Sequence, residues 1–154
     1  LSKLADQELH KLGAESLIYT KEEQEFAEEL YQTLVNADSQ IGDQTIIRPM
    51  VYSQGKGSTD VGDVSWMVPT TGVRVATWVP GTSAHSWQAV AAGGTSIGTK
   101  GANLAAKALA NTALQLYENP ELIDAAWEEH RRNVGDHEYN SLLGDRKPPL
   151  DYRK

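Results

Sequence analysis

Gly72-Val73-Arg74-Val75-Ala76-Thr77-Trp78-Val79, closed by Pro80-Gly81, is the clearest strand-like segment of the chain. It is rich in β-branched and apolar residues, and the Pro-Gly pair stops it. That is the pattern of a β-strand. A weaker strand precedes it at Thr45-Ile46-Ile47-Arg48-Pro49-Met50-Val51-Tyr52, where Pro49 allows only an edge strand or a strand end. Residues 53–60 between them carry no hydrophobic side chain and read as a loop.

Helical patterns flank the two strands. Residues 3–13 place Leu4, Leu9 and Leu12 at helical positions, with Gly13 as terminator. Thr20-Lys21-Glu22-Glu23 is a capping box opening a helix of roughly four turns, on which Phe26, Leu30 and Leu34 form one apolar stripe. From about residue 97, Ile97, Gly101, Leu104, Ala105, Ala108, Leu109, Thr112 and Leu116 keep to one face. The small residues on that face predict a close approach to a sheet. Asn119-Pro120-Glu121 supplies an N-cap, a Pro in the first turn and an acid matched to the helix dipole. After Gly135 the tail, including Lys147-Pro148-Pro149, reads as irregular and surface-bound. The expected fold class is therefore α/β, with few strands flanked by helices. Two or three strands make a thin sheet for 154 residues, and a stable one generally needs more partners.

Composition narrows the function classes. The formal net charge is −7, and the 14 basic residues are scattered. Counterion release on nucleic acid or an anionic membrane needs clustered Lys and Arg, so neither partner is expected. No apolar run is long enough to span a membrane. Cysteine is absent, which excludes disulfides and Cys-based metal or nucleophile sites within these residues. The chain starts without Met and without a signal-peptide pattern; the expectation is a fragment or processed product with a cytoplasmic location.

Chemistry concentrates between Lys56 and Gln88. Two loops rich in Gly, Ser, Thr and Asp flank the Gly72–Val79 strand, at the sheet end where α/β proteins build their sites. Asp60 and Asp63 share one face if the loop turns helical there, and His85 follows a Gly-Thr-Ser-Ala loop. A histidine with carboxylates suits a divalent metal such as zinc or manganese. The plainer alternative is that the aspartates begin one helix and His85 another. Thr59 and Asp60 are ordinary N-cap residues, and on spacing alone this alternative outweighs the metal.

Gly57-Ser58-Thr59-Asp60-Val61-Gly62-Asp63-Val64-Ser65-Trp66, followed by Pro80-Gly81-Thr82-Ser83-Ala84-His85-Ser86-Trp87-Gln88, shifts that balance. The pair resembles the final active-site segment of metallopeptidases related to aminoacylases, carboxypeptidases and auxin-conjugate hydrolases. Within them it is most similar to the aminobenzoyl-glutamate utilization protein B subgroup. The resemblance covers most of the chain but only about the last third of a typical member. It implies the C-terminal part of an α/β/α sandwich catalytic domain of zinc-exopeptidase type, over residues 19–154. Residues 1–18 would be a linker from, or remnant of, the inserted dimerization (lid) domain.

The resemblance also implies an activity. Such enzymes bind two divalent ions, zinc or manganese, and hydrolyse an N-acyl amino acid amide, such as aminobenzoyl-glutamate, with a metal-bound water. His85 matches the late metal-ligating histidine. Ser58, Thr59, Asp60 and Asp63 would orient ligands or organise the loop, while Gly81, Thr82 and Ser83 would contact substrate. The other ligands and the catalytic Glu belong to motifs that these residues lack. The 154 residues alone are thus expected to be inactive and not to retain the metals. The expected partners are a small-molecule amide, plus a second copy or the absent N-terminal part. The alternative from another class is a non-catalytic α/β domain that binds a partner protein.

Other candidates are weaker. His10 reads as a surface residue, and His130 and His137 as part of a charged helix end. Gly93-Gly94-Thr95-Ser96-Ile97-Gly98-Thr99-Lys100-Gly101 imitates a phosphate loop but lacks the hydroxyl after the lysine. Trp66, Trp78, Trp87 and Trp127 read as packing residues, with Trp66 and Trp87 bordering the proposed site.

Overall fold

The structure is a computed structural model that describes residues 1–51, 57, 59–141 and 143–150. Its helices, in chain order, are α1 (Ser2–Leu12), α2 (Lys21–Tyr31), α3 (Val61–Met67), α4 (Trp87–Gly93), α5 (Ser96–Glu118) and α6 (Pro120–Val134). Short 3-10 turns fall at Glu15–Leu17 and Asp43–Thr45.

Local chemistry sets most helix ends. At α2 both halves of the capping box form: Thr20 Oγ1 accepts from the Glu23 amide at 3.3 Å, and a Glu23 carboxylate oxygen accepts from the Thr20 amide at 2.8 Å. The helix stops at Tyr31, a turn short of the expected Leu34. Gly13, at φ 68°, ends α1 as its lack of a Cβ allows. Thr95 opens α5 by accepting from the Ile97 amide at 3.2 Å. Asn119 does not cap α6 with its side chain; instead its Nδ2 donates to the Gln115 carbonyl of α5 at 2.8 Å.

The long α5 is the spine, packing most extensively on α1 and also on α4, the Glu15–Leu17 turn and α6. One apolar cluster joins Ala27 and Leu30 of α2 to Val79, Ala92 and Ile97. A second joins Ala14 and Leu17 to Leu104, with Leu9, Leu12, Ile47, Val75 and Ala76 against it. Between the helices Glu23 is buried and binds Ser96 Oγ and Lys100 Nζ, tying α2 to the start of α5. Burial pushes its pKa up, but hydrogen bonds from Lys100, Ser96 and the Thr20 amide outweigh that and hold it below the usual range.

The expected α/β fold is overturned. Among the described residues all regular structure is helical, and neither expected strand forms. Thr45 closes a 3-10 turn, residues 46–51 and 71–77 have no regular structure, and Tyr52 lies outside the described residues. The two segments face each other across a groove of about 770 Å³ instead of pairing. Ile47, Val75 and Ala76 turn their side chains to the helical core. The physical reason is that a β-branched run records a fit to a half-buried surface, and becomes a strand only where a neighbour completes its ladder. The small residues of α5 do make a close approach, but to this irregular segment. A Cβ on Gly101 would lie 2.1 Å from the Ala76 carbonyl oxygen.

Candidate functional site

His85 sits in the loop between this segment and α4. Val79, 1% exposed, anchors the loop's start, and the Thr82 amide donates back to the Val79 carbonyl at 3.1 Å. Gly81 takes φ 83° against the 37–39 loop, where a Cβ would meet the Ala37 Cβ at 2.7 Å, so only glycine fits. Ser86 fixes the loop's end: its hydroxyl donates to the Ser83 carbonyl at 2.7 Å and accepts from the Ala89 amide at 3.2 Å, capping α4. Between these ties His85 is held at φ 59°, in the left-handed region. That conformation costs about 1–2 kcal/mol for a residue with a Cβ. Backbone strain of this kind clusters at functional positions.

The His85 side chain is exposed and borders a shallow depression of about 420 Å³ with Trp78, Ser86, Trp87, Ala89 and Val90. Thr82 Oγ1 is buried and has no hydrogen-bond partner among the described residues. Ser83 is exposed, and its carbonyl is taken by Ser86. Gly81, Thr82, Ser83 and His85 thus share one ordered loop.

The acidic loop behaves differently. Ser58 lies outside the described residues. Thr59 Oγ1 accepts from the Val61 amide at 3.4 Å, whereas the Asp60 side chain makes no capping bond to α3. Asp63 accepts from the Tyr139 hydroxyl at 2.7 Å, and this bond to the carboxylate raises the Tyr139 pKa. His130 Nε2 lies 3.0 Å from the Ser65 carbonyl, and Trp66 packs against His137 with ring centroids 4.4 Å apart and planes tilted by 42°. Helix α3 is therefore tied to α6 and the C-terminal segment. His130 and His137 do more than line a charged helix end, a role their spacing did not signal. Trp66 leaves the proposed site, while Trp87 and the half-buried Trp78 border it.

Among the described residues no group of three or more His, Asp or Glu side chains could hold a metal ion. A catalytic zinc normally takes about three protein ligands, and His85 offers a single imidazole. The described residues do not by themselves fit a two-metal centre. His10 pairs with Asp6 at 3.7 Å on the exposed face of α1. Lys100, the lysine of the phosphate-loop imitation, is committed to Glu23 and to the Ile18 carbonyl at 3.0 Å. Tyr19 beside it has its pKa pushed up to about 12 by burial and by the charge of Glu23. No described helix is long and apolar enough to cross a membrane.

Comparison with known proteins relates part of the chain to one component of a hydrolase. That relative is a p-aminobenzoyl-glutamate hydrolase subunit from Escherichia coli (strain K12), 43% identical over 75 residues. The match covers 49% of this chain and 16% of that protein. No family model and no solved structure matches the chain.

Proposed function

We propose that this chain is the C-terminal part of a metal-dependent amidohydrolase acting on an N-acyl amino acid such as aminobenzoyl-glutamate. The observation that carries the reading is the 43% identity, over 75 residues, to a p-aminobenzoyl-glutamate hydrolase subunit. The left-handed backbone of His85 (φ 59°) supports it, because such backbone strain clusters at functional positions. In this reading His85 contributes one imidazole to a zinc or manganese pair whose other ligands, and whose catalytic Glu, lie outside the 154 residues. Gly81, Thr82 and Ser83 lie beside it in the same loop and would offer substrate contacts. In the complete enzyme Asp60, Asp63, Ser58 and Thr59 would orient ligands or organise their own loop. The isolated chain is inactive and does not retain the metals, and a cytoplasmic location goes with this reading. The test is His85→Ala in the full-length parent protein: metal-dependent amidase activity should fall by at least a hundredfold, on the order of other losses of a group acting at the reacting centre. Retained activity would remove His85 from the site.

A second reading, a non-catalytic domain that binds a partner, is favoured by α3. Its Val61, Val64, Trp66 and Met67 are all exposed, and the helix buries no residue. Size-exclusion chromatography with light scattering separates the readings. A monomer with no affinity for a second polypeptide argues against the partner-binding domain.

A further inference from the structure

His85 occupies the third position of the turn at residues 83–86, where a left-handed φ ordinarily calls for Gly or Asn. A four-residue turn is commonly closed by the backbone amide of its last residue. Here the hydroxyl of that residue closes it, Ser86 Oγ donating to the Ser83 carbonyl at 2.7 Å. The same oxygen accepts from the Ala89 amide at 3.2 Å and so caps α4. A hydroxyl carries one proton and two lone pairs, so one atom makes both bonds at once. A single side chain thus joins the turn that holds His85 to the helix behind it.

Helix α4 is the fixed partner in this joint. Ala89 and Ala92 are buried, Ala92 among Ala27, Leu30 and Ile97. Gln88 Nε2 donates to the carbonyl and to the hydroxyl oxygen of Thr33, 3.3 Å from each, which pins the first turn of α4 to the chain just beyond α2. Capping alone would need only an acceptor at position 86. The donated bond adds nothing to the helix; what it fixes is Ala84 and His85, the two residues between its ends. We propose that Ser86 is a positioning residue for His85, its donated bond holding the left-handed backbone that sets the direction of the imidazole. The effect on the backbone stands by itself, while the effect on turnover rests on the amidohydrolase reading. A left-handed residue with a Cβ relaxes once the contacts that hold it are removed, since its other backbone conformations are lower in energy.

Three substitutions separate the two bonds. Ser86→Asp keeps an N-cap acceptor of equal quality but has no proton to donate at neutral pH. Ser86→Ala loses both bonds, and Ser86→Thr keeps both. In the 154-residue chain, the experiment reads His85 by NMR through the strong NOE between its own amide and Hα protons, the mark of a positive φ. That NOE should be strong in the wild type and in Ser86→Thr, and weaken in Ser86→Asp and Ser86→Ala. Protection of the Ala89 amide from exchange should persist in Ser86→Asp and be lost in Ser86→Ala. In the full-length parent, Ser86→Ala should lower kcat about tenfold with KM within about twofold, the scale of losing a group that orients a ligand, and Ser86→Thr should restore kcat. A weak NOE in the wild type, an unchanged NOE in Ser86→Asp, or a kcat loss that Ser86→Thr does not restore overturns the proposal. If the NOE weakens in Ser86→Asp but His85→Ala leaves amidase activity intact, Ser86 keeps its hold on the backbone and the assignment of His85 falls. If His85→Ala abolishes activity while the NOE stays strong in Ser86→Asp, this proposal falls alone.

Discussion

The His85 loop and helix α3 carry the two most specific sequence motifs of the chain, and they are held in opposite ways. The loop hangs from the core at both ends: Val79 is buried before it, and Ala89 and Ala92 are buried after it. Its hydrogen bonds run within the loop, from Thr82 to Val79 and from Ser86 to Ser83. Helix α3 buries nothing and is held by polar and aromatic contacts to the C-terminal end, at Tyr139, His130 and His137. Burial of apolar area and tight turns can hold a strained residue such as His85 in place. Exposed hydrogen bonds contribute about 1 kcal/mol or less each and hold a helix only loosely. The two motifs are neighbours in sequence logic but belong to different mechanical parts of the molecule.

The largest effect on the His85 loop is expected at Gly101. Gly101→Val places branched carbons where a single Cβ already lies 2.1 Å from the Ala76 carbonyl oxygen, so the segment feeding the His85 loop must move. A loss of roughly 3 kcal/mol is expected, read as a lower urea midpoint. A smaller break is Glu23→Gln, which weakens the tie between α2 and the start of α5 by about 2 kcal/mol, the scale of hydrogen bonds to a charged group. Glu23 also sets an acid limb of stability. Its folded pKa lies below the ordinary glutamate value of about 4.3. Its contribution is therefore complete above that pH and is lost as pH falls through the lower folded pKa. Denaturation midpoints measured between about pH 5 and 3 should fall in the wild type and flatten in Glu23→Gln.

His85→Gly should change stability and activity in opposite directions. Relief of the left-handed strain should stabilise the isolated chain by about 0.5–1 kcal/mol, after allowance for glycine's unfolded-state entropy. The same change should abolish activity in the full-length parent. A loss of stability would show that the imidazole packs as a structural group. The smallest effect belongs to α3. Tyr139→Phe removes only the exposed bond to Asp63, so global stability should fall by about 0.5 kcal/mol or less. Amide exchange in α3 should quicken while that of α5 stays unchanged.

Much of the local structure was legible in the residues. The capping box at Thr20 and Glu23, the stop at Gly13, and the extents of α5 and α6 all follow from interactions within a turn or two of chain. Such signals need no tertiary context, because caps and 3.6-residue stripes are local. The loop motif around His85 was also legible as a motif. Its left-handed backbone and the Trp78–Trp87 walls beside it were not.

What only the tertiary structure decided is everything that requires a neighbour. Val75 and Val79 have the propensity of a strand, yet a ladder forms only if another backbone lies alongside, and here they pack into the apolar clusters of Leu104 and Ile97 on α5 instead. Likewise Asp63 and Trp66 turn to Tyr139 and His137, more than seventy residues on, by a meeting that no spacing rule encodes. Sequence by itself determined the capped start of α2 and the courses of α5 and α6. Packing determined what lies next to each, since contacts between distant segments depend on how the whole chain fills space.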